Sequence, residues 1–302
     1  MIDFRTPAPV PGSLDVTWNH GRRGEPQIQT HVYDEHTVIL RQSKRLNYEA
    51  PFMFLLFGNE RALLLDTGAT ESFPLRATVD TLIQDWLKIN PRLTYELIVA
   101  HTHGHGDHVA ADPQFADRPD TTTVAHEPAA VRTFFGFGDE STGAVPFDLG
   151  GRVLEVLGTP GHHQASITIY DPWTGLLLTG DTILPGRLYI EDQQAFRTTM
   201  DTLVAFAETH PVTHVLGCHV EMTRRPGRDY ALGAQFQPRE RALQMPPTVL
   251  TDIQRATAKA AGKPGIHPHP DFILYLEPGQ REQRHLLRRA RIRQLQEKFL
   301  NP

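Results

Sequence analysis

The chain has 302 residues, a formal net charge of −5 and a single cysteine. That length suffices for one large α/β domain with a tail. The charge argues against a dedicated nucleic-acid binder, and the lone Cys218 excludes an intramolecular disulfide. No apolar run reaches the ~18 residues of a membrane span, and no charged-then-apolar leader opens the chain, so a cytoplasmic location is expected.

Residues 1–35, rich in Pro, Gly, His and Arg, read as an extended arm. Strands are expected at Thr37–Arg41, Phe52–Phe57 and Ala62–Leu65, with Gly58-Asn59 as a hairpin signal. Val79, Leu82, Ile83, Trp86 and Leu87 share one face of a helix over Leu75–Ile89, which Asn90-Pro91 ends. Tyr95–Ala100 is apolar and β-branched, a buried strand. Further strands are expected at Thr121–Ala125, Arg152–Leu157, Ser166–Tyr170, Leu176–Thr179 and Thr213–Gly217, with a helix over Gln193–Glu208. Helices over Pro247–Ala261 and Arg281–Leu300 and a strand over Phe272–Glu277 complete the chain. The last helix carries six arginines between Arg281 and Arg293. No aromatic pattern interleaves them, so they read as a solvated or partner-facing surface. Arg61–Thr70 echoes Thr174–Ile183, each an apolar strand ending in a Gly/Asp/Thr turn. Two related halves and two unrelated buried strands fit this equally well.

The chemistry concentrates in His101-Thr-His-Gly-His-Gly-Asp-His108. Its spacing fits neither the strand period nor the helix period, so it reads as a loop wrapping ligands around a point. Gly104 and Gly106 permit a tight wrap. Imidazole and carboxylate together suit zinc and its neighbours. Three later segments add Thr-Pro-Gly-His162, Leu-Leu-Leu-Thr-Gly-Asp181 and Val-Leu-Gly-Cys-His219. A solvated histidine tract is the bland alternative, but the run follows a core-like strand and contains an aspartate. His101 falls outside the pattern and reads as a packing histidine, as Cys218 reads as a packing cysteine.

These motifs resemble the metallo-β-lactamase superfamily. The resemblance rests on Thr102–His108, Thr159-Pro-Gly-His162, Thr179-Gly-Asp-Thr182, His219 and Leu65-Asp-Thr-Gly68, and spans about residues 36–220. It implies a four-layer αββα sandwich over 36–235, and the helical patterns that follow predict a C-terminal extension over 236–302, mostly helical and packed on it. It also implies that His103, His105 and His162 hold one metal, that Asp107, His108 and His219 hold a second, and that Asp181 bridges. His163 is the rival to His162, and Asp66 would orient a ligand histidine. The implied cofactor is a pair of divalent ions, zinc first, with manganese or iron as alternatives. The implied chemistry is a bridging hydroxide attacking an ester, lactone, thioester or phosphodiester, with Asp107 and His219 both ligating and catalytic.

Substrate signals are thinner. Thr182-Ile-Leu-Pro-Gly-Arg187 lacks the glycine- and cysteine-rich stretch usual in glyoxalase-type thioesterases. Tyr189 could serve from a loop, Arg224, Arg225 and Arg228 could grip an anion, and Phe134–Phe137 could form an apolar lip. Together they suggest a small-molecule substrate with an apolar part and an anionic group, without nucleic acid or membrane; an oligomer is compatible. The alternative is a mononuclear iron oxygenase resembling the persulfide dioxygenases. A degenerate scaffold that binds without turnover is the non-enzymatic reading.

Overall fold

In a computed structural model, residues 1–5, 9–138 and 143–300 are described. The first sheet holds β1 (Ile28–Asp34), β2 (Thr37–Gln42), β3 (Phe52–Phe57), β4 (Arg61–Leu65), β5 (Glu96–Ala100) and β6 (Thr121–Thr123), in that order. The second holds β7 (Val145–Asp148), β8 (Val153–Gly158), β9 (Ile167–Asp171), β10 (Leu176–Gly180), β12 (His214–Gly217) and β13 (Gln244–Met245), with order β13-β12-β10-β9-β8-β7. A third, small sheet runs β11-β15-β14, from β11 (Arg187–Ile190), β14 (Gly265–Pro268) and β15 (Ile273–Leu276).

The layering follows from strands that are apolar on both faces. In β3 every residue is buried, and alternation sends its side chains to two different cores. Phe54 and Leu56 join Leu154, Ile167, Leu178 and Leu216 between the two large sheets. Met53, Leu55 and Phe57 face outward, onto Leu75, Val79, Ile83 and Trp86 of α1 (Leu75–Ile89). The second sheet is covered by α4 (Gln193–Thr209) and α5 (Val249–Ala260), through Phe196, Met200, Leu203, Leu250 and Ile253. Two short helices, α2 (Gly106–Val109) and α3 (Pro128–Phe135), lie between β5 and β7, and α6 (Gln280–Leu300) ends the chain. The result is the expected αββα sandwich. No helix among the described residues is long and apolar enough to cross a membrane.

The sequence echo has a structural counterpart. β4 pairs antiparallel with β3 and parallel with β5, and β10 pairs antiparallel with β9 and parallel with β12. Both strands point a terminal aspartate, Asp66 or Asp181, at the same end of the sandwich.

Two expectations need correction. The arm over 1–35 is shorter than composition suggests, because Ile28–Asp34 pairs antiparallel with β2 as β1. Its half-exposed edge position leaves no clean alternation to read. The extension is not mostly helical in its middle, since β14 and β15 build a sheet onto β11 of the main domain. Ion pairs fasten it further: Glu240 meets Arg41 at 2.7 Å and Lys44 at 3.1 Å, and Asp229 meets Arg187 and Arg289, both at 2.9 Å. Arg289 and Arg293 of the basic helix therefore serve packing, the latter donating to Phe236 O.

One buried pair ties the two large sheets. Arg152 is 1% exposed and donates to Asp171, Thr37 Oγ1, His36 O and Phe57 O. Removing one partner of such a pair strands a buried charge, at about 3–5 kcal/mol. Asp171→Ala is therefore expected to lower unfolding free energy by about that amount, read by chemical denaturation; a loss near zero would contradict it.

Candidate metal centre

The ligand run turns directly out of β5. His105 has extended backbone (φ −71°, ψ 151°) and begins α2, so Asp107 and His108 lie on one helical turn. The glycines act differently from the expectation. Neither Gly104 nor Gly106 has positive φ. Gly104 instead allows close approach, since a Cβ there would sit 3.0 Å from the His126 ring. Left-handed backbone is used at Gly180 (φ +53°), where a Cβ would lie 2.5 Å from Thr102 Cβ. That contact seats Asp181 against the run.

The structure brings the seven implied ligands together in two groups. His103, His105 and His162 form one; Asp107, His108, Asp181 and His219 form the other. In the first, the facing nitrogens are 2.9, 3.2 and 3.2 Å apart. A tetrahedral ion with bonds near 2.05 Å has ligand–ligand edges of about 3.3 Å. In the second, His219 Nε2 lies 3.2 Å from Asp107 Oδ2 and 3.4 Å from both Asp181 Oδ1 and His108 Nε2. Asp181 Oδ2 sits 3.6 Å from His108 Nε2 and 3.9 Å from His162 Nε2, between the groups. His163 stands outside both; its Nδ1 accepts from Ala165 N.

Several observations fit this donor set to metal. His162 Nδ1 donates to Tyr189 O (2.8 Å) and His219 Nδ1 to Glu49 O (3.0 Å). A carbonyl only accepts, so in the neutral ring a metal would bind, each Nε2 carries the lone pair that faces the group. Asp181 Oδ1 is buried with no hydrogen-bond partner. Burial, then the rings of His108, His162 and His105, holds His103 well below the usual histidine range. Burial also disfavours charge on His108 and His219, yet carboxylates override it. Asp66 and Asp181 raise His108 well above its ordinary value, and Asp181 and Asp107 raise His219 to about 9. Burial would raise Asp181, but His219 and His108 bring it down to about 2. Asp107 is likewise held low, against burial, by its hydrogen bond with His219 and the charges of His108 and His219. The second group thus collects positive charge even from protons.

Asp66 lies against His108 of the second group. Fully buried and at φ +69°, it accepts from His108 Nδ1 (2.9 Å), Thr102 N (2.7 Å) and Cys218 Sγ (3.1 Å). Cys218 therefore braces Asp66, and His101 braces Asp112 at 2.8 Å. Asp66→Asn is expected to weaken metal retention by about 10–100-fold, measured by competition with a chromophoric chelator. Unchanged affinity would remove this role.

A cavity of about 450 Å³ opens over the groups, lined by Glu49, Leu184, Arg187, Tyr189, Ile190, Glu191, Glu221, Tyr275 and Glu277 besides ligands. Tyr189 is on this wall, 39% exposed. Arg224, Arg225 and Arg228 are exposed and not among the lining residues. The apolar lip does not form there either: Phe135 is buried, and Phe134 and Phe137 pack on the inter-sheet core. Arg187 had no signal beyond its place after Pro185-Gly186. It is buried and pairs with Glu221 and Asp229.

The family model described as the metallo-beta-lactamase superfamily matches residues 48–219, more than half of the chain. A hydroxyacylglutathione hydrolase of Rhizobium meliloti (strain 1021) is 30% identical over 116 residues, covering 35% of this chain and 43% of that protein. One from Brucella ovis is 27% identical over 183 residues, covering 58% and 63%. The chain thus spans roughly two-fifths to two-thirds of the length of these curated relatives. The solved DIM-1 metallo-β-lactamase is similar in fold, with TM-score 0.51 and 13% identity over 78% of this chain and 99% of that one. With its fold, ligand motifs and family match in agreement, the chain belongs to the metallo-β-lactamase superfamily.

Proposed function

We propose that the chain is a dinuclear metallo-hydrolase cleaving an ester, lactone or thioester of a small molecule. The observation that carries this is the pair of ligand groups sharing Asp181 at the floor of one cavity. The nitrogen-rich donor set favours zinc. Bound there, the two ions would lower the pKa of a shared water and polarise the acyl oxygen. Net, water adds across the acyl C–O or C–S bond, giving a carboxylic acid and an alcohol or thiol.

The chain's own residues complete the chemistry. His162 and His219 are held in ring orientation by the carbonyls of Tyr189 and Glu49. Asp107, partly exposed on the cavity wall, is the carboxylate placed to orient the attacking water while ligating. Burial raises the Tyr189 phenol to about 12, so at neutral pH it keeps an O–H to offer. Leu184 and Ile190 supply the apolar wall. The hydroxyacylglutathione hydrolases among the relatives support a thioester, while Thr182–Arg187 departs from that branch. A phosphodiester fits less well, because the wall is rich in carboxylates. The iron-oxygenase reading would leave the second group without a purpose, and that group is complete.

The test is a panel of aryl and thiol esters and lactones with zinc- and manganese-loaded protein, before and after chelation. Hydrolysis lost on chelation and restored by metal is expected. No hydrolysis, with oxygen uptake on a thiol persulfide instead, would overturn the reading.

A further inference from the structure

The cavity mouth is built from two parallel strand ends in register. Tyr189 pairs with Tyr275 and Ile190 with Leu276 across β11 and β15. The two tyrosine rings lie 4.9 Å apart at 58°. One position beyond the end of each strand stands a glutamate, Glu191 or Glu277, and both line the cavity. Like charges at matching positions of neighbouring strands repel. Glu277 also sits at φ +46°, a backbone region unfavourable for a side chain. Two unfavourable choices therefore coincide at one place.

Apart from the metal-site histidines on the floor and the ions they would hold, nothing cationic among the described lining residues offsets them. Arg187 is the one lining arginine or lysine among the described residues. Its guanidinium is taken by Glu221 and Asp229. Glu277 is met by the neutral Gln193 amide at 3.2 Å, and Glu191 lies 3.8 Å from His105, itself an implied ligand. Glu49 adds a further carboxylate to the wall.

Taking the hydrolase reading as given, we propose that this tyrosine–glutamate ladder selects a substrate carrying an organic ammonium group and disfavours one carrying a carboxylate. The carboxylates supply charge, and the face of Tyr189, backed by the buried Tyr275, supplies cation–π attraction. This reverses the anionic group suggested by Arg224 and Arg225, which lie off the wall.

The test uses three matched thioesters on metal-loaded protein: acetylthiocholine, its neutral 3,3-dimethylbutyl isostere, and S-acetyl-3-mercaptopropionate. At low salt, kcat/KM for the cation should exceed that for the neutral isostere by about tenfold, with the anion lowest. The gap should narrow in 1 M salt, where screening reaches about 3 Å. In Glu191→Gln/Glu277→Gln the cation-to-neutral ratio should fall towards one. Glu60→Gln, an exposed carboxylate not on the cavity wall, should keep it. A neutral or anionic preference, or a ratio unmoved in the double variant, overturns the inference while leaving the hydrolase reading intact. If no thioester is cleaved, calorimetry with tetramethylammonium decides independently. Binding lost in the double variant supports the ladder, and no binding to the unmodified chain overturns it.

Discussion

Asp181→Ala should release both metals and reduce hydrolysis by a thousandfold or more. Asp181 is the carboxylate whose oxygens approach both groups, at 3.6 Å from His108 and 3.9 Å from His162. Its removal takes a negative charge from beside His219, and from beside His108, whose protonated form Asp66 also favours. Metal activation contributes several kcal/mol to a transition state, and about 1.4 kcal/mol is tenfold, which sets the expected loss at roughly a thousandfold. Metal content by elemental analysis and kcat/KM on the best ester are the two readouts. A variant that kept both metals and more than a tenth of the activity would show that Asp181 does not bridge. Circular dichroism separates this from unfolding, since Asp181 lies at a strand end rather than inside a core cluster.

The two groups should also be separable. His105→Ala removes one of three ligands from the first group, and His219→Ala removes one of four from the second. Each is expected to lose about one metal equivalent and to lower kcat/KM by roughly a thousandfold, by the same arithmetic. The comparison discriminates between readings. With a single working ion in the first group, His219→Ala would leave catalysis nearly unchanged while His105→Ala abolished it. Equal losses favour two cooperating ions.

Much of this was legible in the sequence because the decisive residues are contiguous or attached to strong local signals. The run from His103 to His108 is one stretch, and Asp181 and His219 each end an unmistakably apolar strand. The helix Leu75–Ile89 was readable because Val79, Ile83 and Trp86 repeat at helical spacing over fifteen residues. The preference for His162 over His163 rests on the resemblance carried by Thr-Pro-Gly-His, and His162 Nε2 lies 3.2 Å from both His103 and His105. Gly161 of that motif has φ +136° and room for no Cβ against Phe196.

What stayed hidden depends on non-local pairing. β1 is a half-exposed edge strand, and β11 and β14 have four residues each, too few for periodicity to speak; the strand expected over Phe272–Glu277 forms as β15, but its partners were not readable. The wall they build was therefore invisible: no spacing rule brings Tyr189 to Tyr275, 86 positions apart, or Glu191 to Glu277. The clustered arginines at 224–228 attracted attention by adjacency in sequence, whereas Arg187 and the glutamates reach the cavity through tertiary contacts. Phe134–Phe137 looked like a lip because aromatic clusters suit both surfaces and cores. Packing between the sheets claimed them.

The most direct test of the central claim is metal content per chain, by elemental analysis, on protein purified without chelator and without a histidine tag. Two equivalents of zinc, or of manganese, are expected. One equivalent of iron, with His219→Ala leaving that content unchanged, would contradict the dinuclear hydrolase.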